Sequence, residues 1–340
     1  MKPQHHRKKP VRNQCAFIPE RILTFARCRY VDREHLLKDR VKDVRVDGET
    51  TLSDLMRQLG KSGGFSTGKI YTAHSILKRM FSEENTTFLS FPADIIATGT
   101  RGIITDMIRS GLIDVIITTC GTIDHDIARS LGAYYCGDFS MSDVMLREIG
   151  INRLGNVLVP DESYGPLIEH FTQPILENLY AEKKEWAPVD LIDRFGSQIN
   201  DESSILFQAH RMKVPIFIPG ITDGSFGSQL WSFYERHKDF SINLLEDEHR
   251  LSDIIFDSKK AGALMIGGGI SKHHTIWWNQ FRGGLDYAIY ITTAQEYDGS
   301  LSGARLEEAI SWGKVKPRAK FVNVYGDATV ILPLLLAPFL

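Results

Sequence analysis

The sequence predicts an α/β fold built on a doubly wound, mostly parallel sheet, with an N-terminal helical extension. Three observations carry this. Short apolar or β-branched runs recur along the chain, helical spacing fills the intervals between them, and glycine-rich turns follow several of the runs. In such sheets ligands gather at the carboxyl ends of the strands. The residues that follow the strands are therefore expected to converge on one edge.

Residues 1–45 read as a basic tail and extension, and residues 46–340 as a single large α/β domain. Lys2, Arg7, Lys8, Lys9 and Arg12 crowd the start without the apolar stretch of a signal peptide. A solvated tail accounts for them better than an RNA-binding arm. Residues 46–90 read as helical until a strand at 87–91. Within them, Gly63-Gly64-Phe65-Ser66-Thr67-Gly68-Lys69 satisfies GxxxxGK, but Ile70 stands where Mg²⁺ coordination needs Ser or Thr, and no strand precedes it. A helix-to-helix loop is expected there, not a phosphate-binding loop.

Apolar residues at helical spacing mark 103–108, with Gly111 placed to end that helix. The β-branched run 114–119 reads as a strand covered on both faces. The same grammar returns at 214–219, 263–266, 287–292 and 321–325. Residues 330–340 are apolar, yet too short to span a bilayer and interrupted by Pro333 and Pro338. They read as a strand or helix packed into the core or against another subunit.

Composition bounds the function. The chain has 340 residues, 43% hydrophobic and 24% charged, with a formal net charge of −2. That balance is ordinary for a globular protein and gives no overall nucleic-acid signature. Cys15, Cys28, Cys120 and Cys136 show no CxxC spacing. Cys120 and Cys136 are expected as reduced core thiols, and neither a disulfide nor a metal site is expected. A cytoplasmic location and no membrane association follow as expectations.

The chemistry concentrates in the last quarter. Gly267-Gly268-Gly269 would let backbone approach a ligand closely and open a helix whose amides can hold a pyrophosphate, although a tight structural turn fits the glycines as well. Asp223 reads equally as an acid that stabilises a glycine turn. Glu308 and Trp312 lie four apart, on one helix face, where a carboxylate and an aromatic ring could receive an ammonium group. His273, after the glycine turn, could relay a proton or merely cap. Lys314 could be an amine nucleophile or a cation that complements a helix end.

Longer words decide among these readings. Residues 267–274 carry GGG-x-x-KHH, residues 294–305 carry A-x-E-x-DGS-x-SGAR, and residues 308–314 carry E-A-x-SWGK. In order and spacing they resemble the deoxyhypusine synthase family, in an archaeal-type form. The likeness is dense over residues 223–333, thinner over 65–126 and loose over 140–200. It implies a Rossmann-like NAD site to which Thr119, Cys120, Gly121, Asp223, Gly268, Thr293, Ala294, Asp327 and Ala328 would contribute. Spermidine would meet Asp124, His273, Tyr290, Gly299, Ser300, Glu308 and Trp312, and Lys314 would carry the covalent imine, with His273 handling the proton. The resemblance further implies transfer of the aminobutyl group to one lysine of the translation initiation factor 5A precursor, by a homo-oligomer, a tetramer with sites between subunits.

The pattern also departs from the family. Leu301 and Ser228 stand where an Asp is expected, and Asp124-His125 where two glutamates are expected. The run at 93–97 differs from a Ser/Asn-rich cofactor loop. Each lost charge-assisted contact weakens amine binding by about 1.5–3 kcal/mol, which Asp124 could partly offset. Two alternatives therefore stay open: a homospermidine synthase-like transfer to putrescine or another small amine, and a non-catalytic NAD-binding paralogue.

Overall fold

The computed structural model describes residues 37–340, of which 42–340 form one compact unit. The basic tail, Cys15 and Cys28 lie outside the described residues. Helix α1 (Leu52–Leu59) starts where the Thr51 hydroxyl accepts from the Asp54 amide. Residues 60–66 link it to α2 (Thr67–Ser82), so the GxxxxGK stretch is a helix-to-helix loop running into the first turn of α2. Ala73, Ile76, Leu77 and Met80 make one buried stripe along α2, at the three- and four-residue spacing of a helix face.

From there strands and helices alternate. β1 (Thr86–Ser90) leads to α3 (Thr100–Arg109), which Gly111 closes at φ +67°, and then to β2 (Val115–Ile117) and α4 (Cys120–Leu131). A small antiparallel sheet follows, of β3 (Tyr135–Cys136), β4 (Ile151–Leu154) and β5 (Val157–Pro160), with α5 (Asp143–Glu148) beside it. Cys136 lies there in the open, contrary to the expected core thiol, because a two-residue strand at a small sheet's edge has no core to enter. Next come α6 (Gly165–Glu182), β6 (Glu185–Trp186), α7 (Pro188–Gly196), α8 (Ile205–Met212), β7 (Ile216–Phe217), α9 (Ser225–Arg236), β8 (Ser241–Ile242) and α10 (Leu244–Asp257). The last quarter holds β9 (Ala261–Ile266), α11 (Gly269–Asn279), β10 (Leu285–Thr292), α12 (Leu306–Ser311), β11 (Val315–Tyr325) and α13 (Ala328–Leu336).

Six strands form one sheet in the order β11-β10-β9-β1-β2-β7, every pairing parallel. Alternation along the strands explains their unbroken apolar runs. Leu89, Ile116, Leu264, Ile289 and Val324 enter one core with α2, α3, α4, α9 and α13. Phe88, Val115, Ile117, Ala263, Met265 and Ala288 enter the other with α10, α11 and α12.

Two elements differ from the sequence reading, and a third is settled between its alternatives. The run at 214–219 pairs only at Ile216 and Phe217, as the sheet's outer strand. β11 begins six residues earlier than 321, because an edge strand tolerates Pro317 and the exposed polar residues around it. The apolar C-terminus is a helix, with Ile331, Leu332, Leu335 and Leu336 buried despite Pro333.

Candidate active site

Strand order places a switch point at β1. Chain direction runs outward from it through β2 and β7 on one side, and through β9, β10 and β11 on the other. Two helices flank that point with first-turn amides that no side-chain cap occupies: α4 after β2, starting at Thr119, and α11 after β9, starting at Gly268. Two other helix starts on this edge are closed. Asp124 accepts from the Ser225 and Phe226 amides of α9 at 2.8 and 2.7 Å, and Asp327 accepts from the Thr329 amide of α13 at 2.8 Å.

The turn after β9 admits only glycine. Gly267 and Gly269 sit at φ +64° and +69°, and a Cβ on Gly268 would fall 2.4 Å from the Ser302 Cα. Thr119, Cys120, Gly121, Asp223, Gly268, Thr293, Ala294, Asp327 and Ala328 all follow the carboxyl ends of β2, β7, β9, β10 or β11.

The second group is elsewhere. Lys314 precedes β11, where its carbonyl accepts from the Leu285 amide at the amino end of β10. Between the two edges, on the face of the sheet, α11 and α12 enclose a cavity of about 210 Å³. Lys272, His273 and Ile276 line it from α11, and Leu301, Ala304, Arg305, Glu308, Ala309, Trp312 and Lys314 from the other side. Convergence on one edge is thus corrected: α12 runs back along the sheet and carries the lysine away from it. Gly268 against Ser302 is where the two halves meet.

Inside the cavity Lys272 and Arg305 are engaged by neighbours, while the side chains of His273, Glu308 and Lys314 are open. Lys314 is only 8% exposed, and its Nζ lies 5.6 Å from the Trp277 ring centre and 5.5 Å from that of Trp312. Trp312 caps the end of α12 and is 65% exposed. His273 stacks on Trp277, with ring centres 5.8 Å apart. Burial, and then the charge of Lys314, push the His273 imidazole below its ordinary value, which favours the neutral, proton-accepting form. Among the described residues Glu308 is the one carboxylate lining the cavity.

Four substrate expectations are placed differently. Tyr290 does not line the cavity. It is buried in β10, and its hydroxyl donates to the Ser302 carbonyl at 2.6 Å. Asp124, 1% exposed, is held by α9 amides and the Tyr164 hydroxyl, so it offers no free carboxylate to offset Leu301. Gly299 forms an exposed turn at φ +76°, and the Ser300 amide and hydroxyl both donate to Asp298.

The sequence reading passed over three residues. Lys272, part of the KHH word itself, is buried in the cavity wall. Trp277 was legible as the residue one turn beyond His273. Asn323 had no local signal: from β11 it accepts from the Leu306 amide at 3.1 Å and donates to Glu307 at 2.7 Å, fixing the start of α12.

The family model described as deoxyhypusine synthase matches residues 54–339. A Thermoplasma volcanium protein named "Probable deoxyhypusine synthase" is 71% identical over 310 residues, covering 91% of this chain and 100% of that protein. Proteins of the same name from Picrophilus torridus and Sulfurisphaera tokodaii are 66% and 53% identical, each over 91% of this chain and 100% and 99% of their own lengths. A solved chain from Entamoeba histolytica, described as a candidate deoxyhypusine synthase, shares the fold at a TM-score of 0.63 and 18% identity, covering 87% of this chain and 96% of its own. With its motifs, its sheet and these relatives in agreement, the chain belongs to the deoxyhypusine synthase family and is a transferase.

Proposed function

We propose that this transferase moves the aminobutyl group of spermidine, by way of an imine on Lys314, to one lysine of the translation initiation factor 5A precursor, with NAD as cofactor. The observation that carries the reading is Lys314 itself: a buried lysine between two tryptophans, with neither a hydrogen bond nor an ion pair at its Nζ among the described residues, at one end of a cavity shared with His273 and Glu308. A lysine that only completed a helix end would have no need of that enclosure.

The carboxyl edge fits a dinucleotide. Close backbone approach at Gly267 and Gly268, and the uncapped amides of α4 and α11 on either side of the switch point, suit a pyrophosphate. Thr119, Cys120, Gly121, Asp223, Thr293, Ala294, Asp327 and Ala328 would hold the rest. When bound, NAD would accept hydride from spermidine and return it once the butyl group has been transferred.

The chain's own residues do the remainder. Glu308 and Trp312 receive an ammonium end of the substrate by charge and by ring face. His273 takes up a proton as the amine is oxidised. Lys314 Nζ attacks the oxidised carbon, the C–N bond to diaminopropane breaks, and the butylimine is held on Lys314 until the acceptor lysine displaces it. Burial of Lys314 keeps water from hydrolysing that bond. With Glu308 as the cavity's one carboxylate among the described residues, a triamine needs further acids, which supports a homotetramer with sites completed between subunits. A cytoplasmic location accords with this reading. Among the described residues no helix is long and apolar enough to cross a membrane.

The test is incubation with NAD and radiolabelled spermidine, then borohydride trapping and peptide mapping. Label on Lys314 is expected, and its transfer to the 5A precursor but not to putrescine. Transfer to putrescine alone would favour the homospermidine synthase-like reading that Leu301 raises. NAD binding with no label would leave a non-catalytic paralogue.

A further inference from the structure

Between β10 and α12 the chain has no regular structure, yet residues 301–304 form both a wall of the cavity and the surface against which Gly268 packs. Their shape depends on where their carbonyls find donors. Lys272, in the first turns of α11 and 1% exposed, donates from Nζ to the Leu301 carbonyl at 2.9 Å and to the Ala304 carbonyl at 2.6 Å. The intervening Ser302 carbonyl accepts from the Tyr290 hydroxyl at 2.6 Å, and the same Nζ lies 3.6 Å above the Tyr290 ring centre. One buried cation and the tyrosine beneath it therefore hold three carbonyls of an otherwise irregular segment.

We propose that Lys272 is a positioning residue that clamps residues 301–304, setting the width of the amine cavity and the fit of the Gly268 turn together. The inference rests on the functional reading above for its substrate, but the clamp itself is read from contacts alone. Lys272 contributes no reacting atom: its donors are engaged by the segment, while Lys314 lies free at the other end of the cavity.

The clamp is sensitive to protonation. Burial lowers the Lys272 value to about 7, opposed by Glu308 of α12. Tyr290 of β10 faces it from below, and His273, Arg305 and Lys314 share the cavity. Above pH 7 the ammonium loses its charge, and with it the ring contact and the charge-assisted part of both bonds.

The experiment measures KM for spermidine and kcat between pH 6 and 9 in the full chain with NAD and the 5A precursor, for wild type, Lys272→Met and Lys272→Arg. Lys272→Met is expected to raise KM at pH 7 by about tenfold, the loss of one charge-assisted hydrogen bond, with kcat within about threefold. Wild-type KM should climb above pH 7 more steeply than that of Lys272→Arg, whose guanidinium stays charged. An unchanged KM in Lys272→Met, or a pH profile in Lys272→Arg that matches wild type, would overturn the clamp. Limited tryptic cleavage after Arg305 tests the segment without activity, and Lys272→Met should be cut about tenfold faster. Should wild type give no trapped label, the functional reading fails, and that cleavage rate still decides on Lys272.

Discussion

Two cavities of nearly equal size lie against the central sheet, at about 220 and 210 Å³, and they are built on opposite principles. The first, at the amino end of β7 between α7, α8 and α10, has its charged groups matched. Arg250 grips both oxygens of Asp190 and also reaches Glu246, His210 meets Asp193 at 2.9 Å, and of the lining charges only Lys213 stands apart. The second, between α11 and α12, ties Lys272 and Arg305 to neighbours but leaves the side chains of His273, Glu308 and Lys314 without a hydrogen-bond partner among the described residues. Volume does not separate a packing gap from a site. Unsatisfied chemistry lining a cavity and held in place by rigid elements is the better guide, because groups that no neighbour completes are available to a ligand.

The sharpest way to break that contrast is Lys314→Arg. Arginine keeps the charge against Trp277 and Trp312 but cannot form the imine. Trapped label should fall to background, a loss of about 10³-fold or more, while NAD binding persists. Normal transfer by this variant would abandon the covalent route. A smaller loss is expected for His273→Ala: about 10²-fold in kcat, with KM for spermidine less affected, as for removal of a general base. If KM alone moved, His273 would be a binding group only.

Much of this was legible in the chain. The sheet was, because strands buried on both faces are written as unbroken apolar runs, as in Ala261–Ile266. The words around His273 and Lys314 were, because lysine, ring and carboxylate lie within a few residues of one another at 308–314. What stayed hidden depends on distance in sequence. Asp124 reads as a free acid until α9, a hundred residues on, is seen to place two amides on it. Tyr290 reads as a pocket residue until the loop at 302 folds back to take its hydroxyl. That the lysine stands at the amino end of its strand follows from the course of α12, which no local pattern states.

The two regions should also answer to pH with opposite sign. Asp247, on α10 and bonded to the Val189 amide of α7, is raised by burial to about 7. Its folded form holds a proton that the unfolded chain gives up near pH 4, so its contribution is full below that point and is lost as pH rises towards 7. His274, beside the second cavity's His273, is lowered by burial to about 4. Its contribution is present above pH 6.5 and is lost as pH falls towards 4. Chemical denaturation across pH 4–6.5 should show Asp247→Asn removing a decline with rising pH, and His274→Gln removing a gain, each with a slope of at most about 1.4 kcal/mol per unit. The same sign from both would mean that one of the two is not buried in its less charged form.

The smallest effect belongs to the pairs of the first cavity. Arg250 and Asp190 are each about a third exposed, so water screens their attraction, and holding two long side chains in register offsets part of what remains. Bidentate geometry and the added Glu246 contact bring the set to the upper part of the range for such pairs. Arg250→Met should therefore lower unfolding free energy by about 0.5–1 kcal/mol while spermidine transfer stays within twofold of wild type. A much larger fall in activity would mean that the matched cavity feeds the open one through α10 and α11, so that the two are not a structural gap and a separate chemical site.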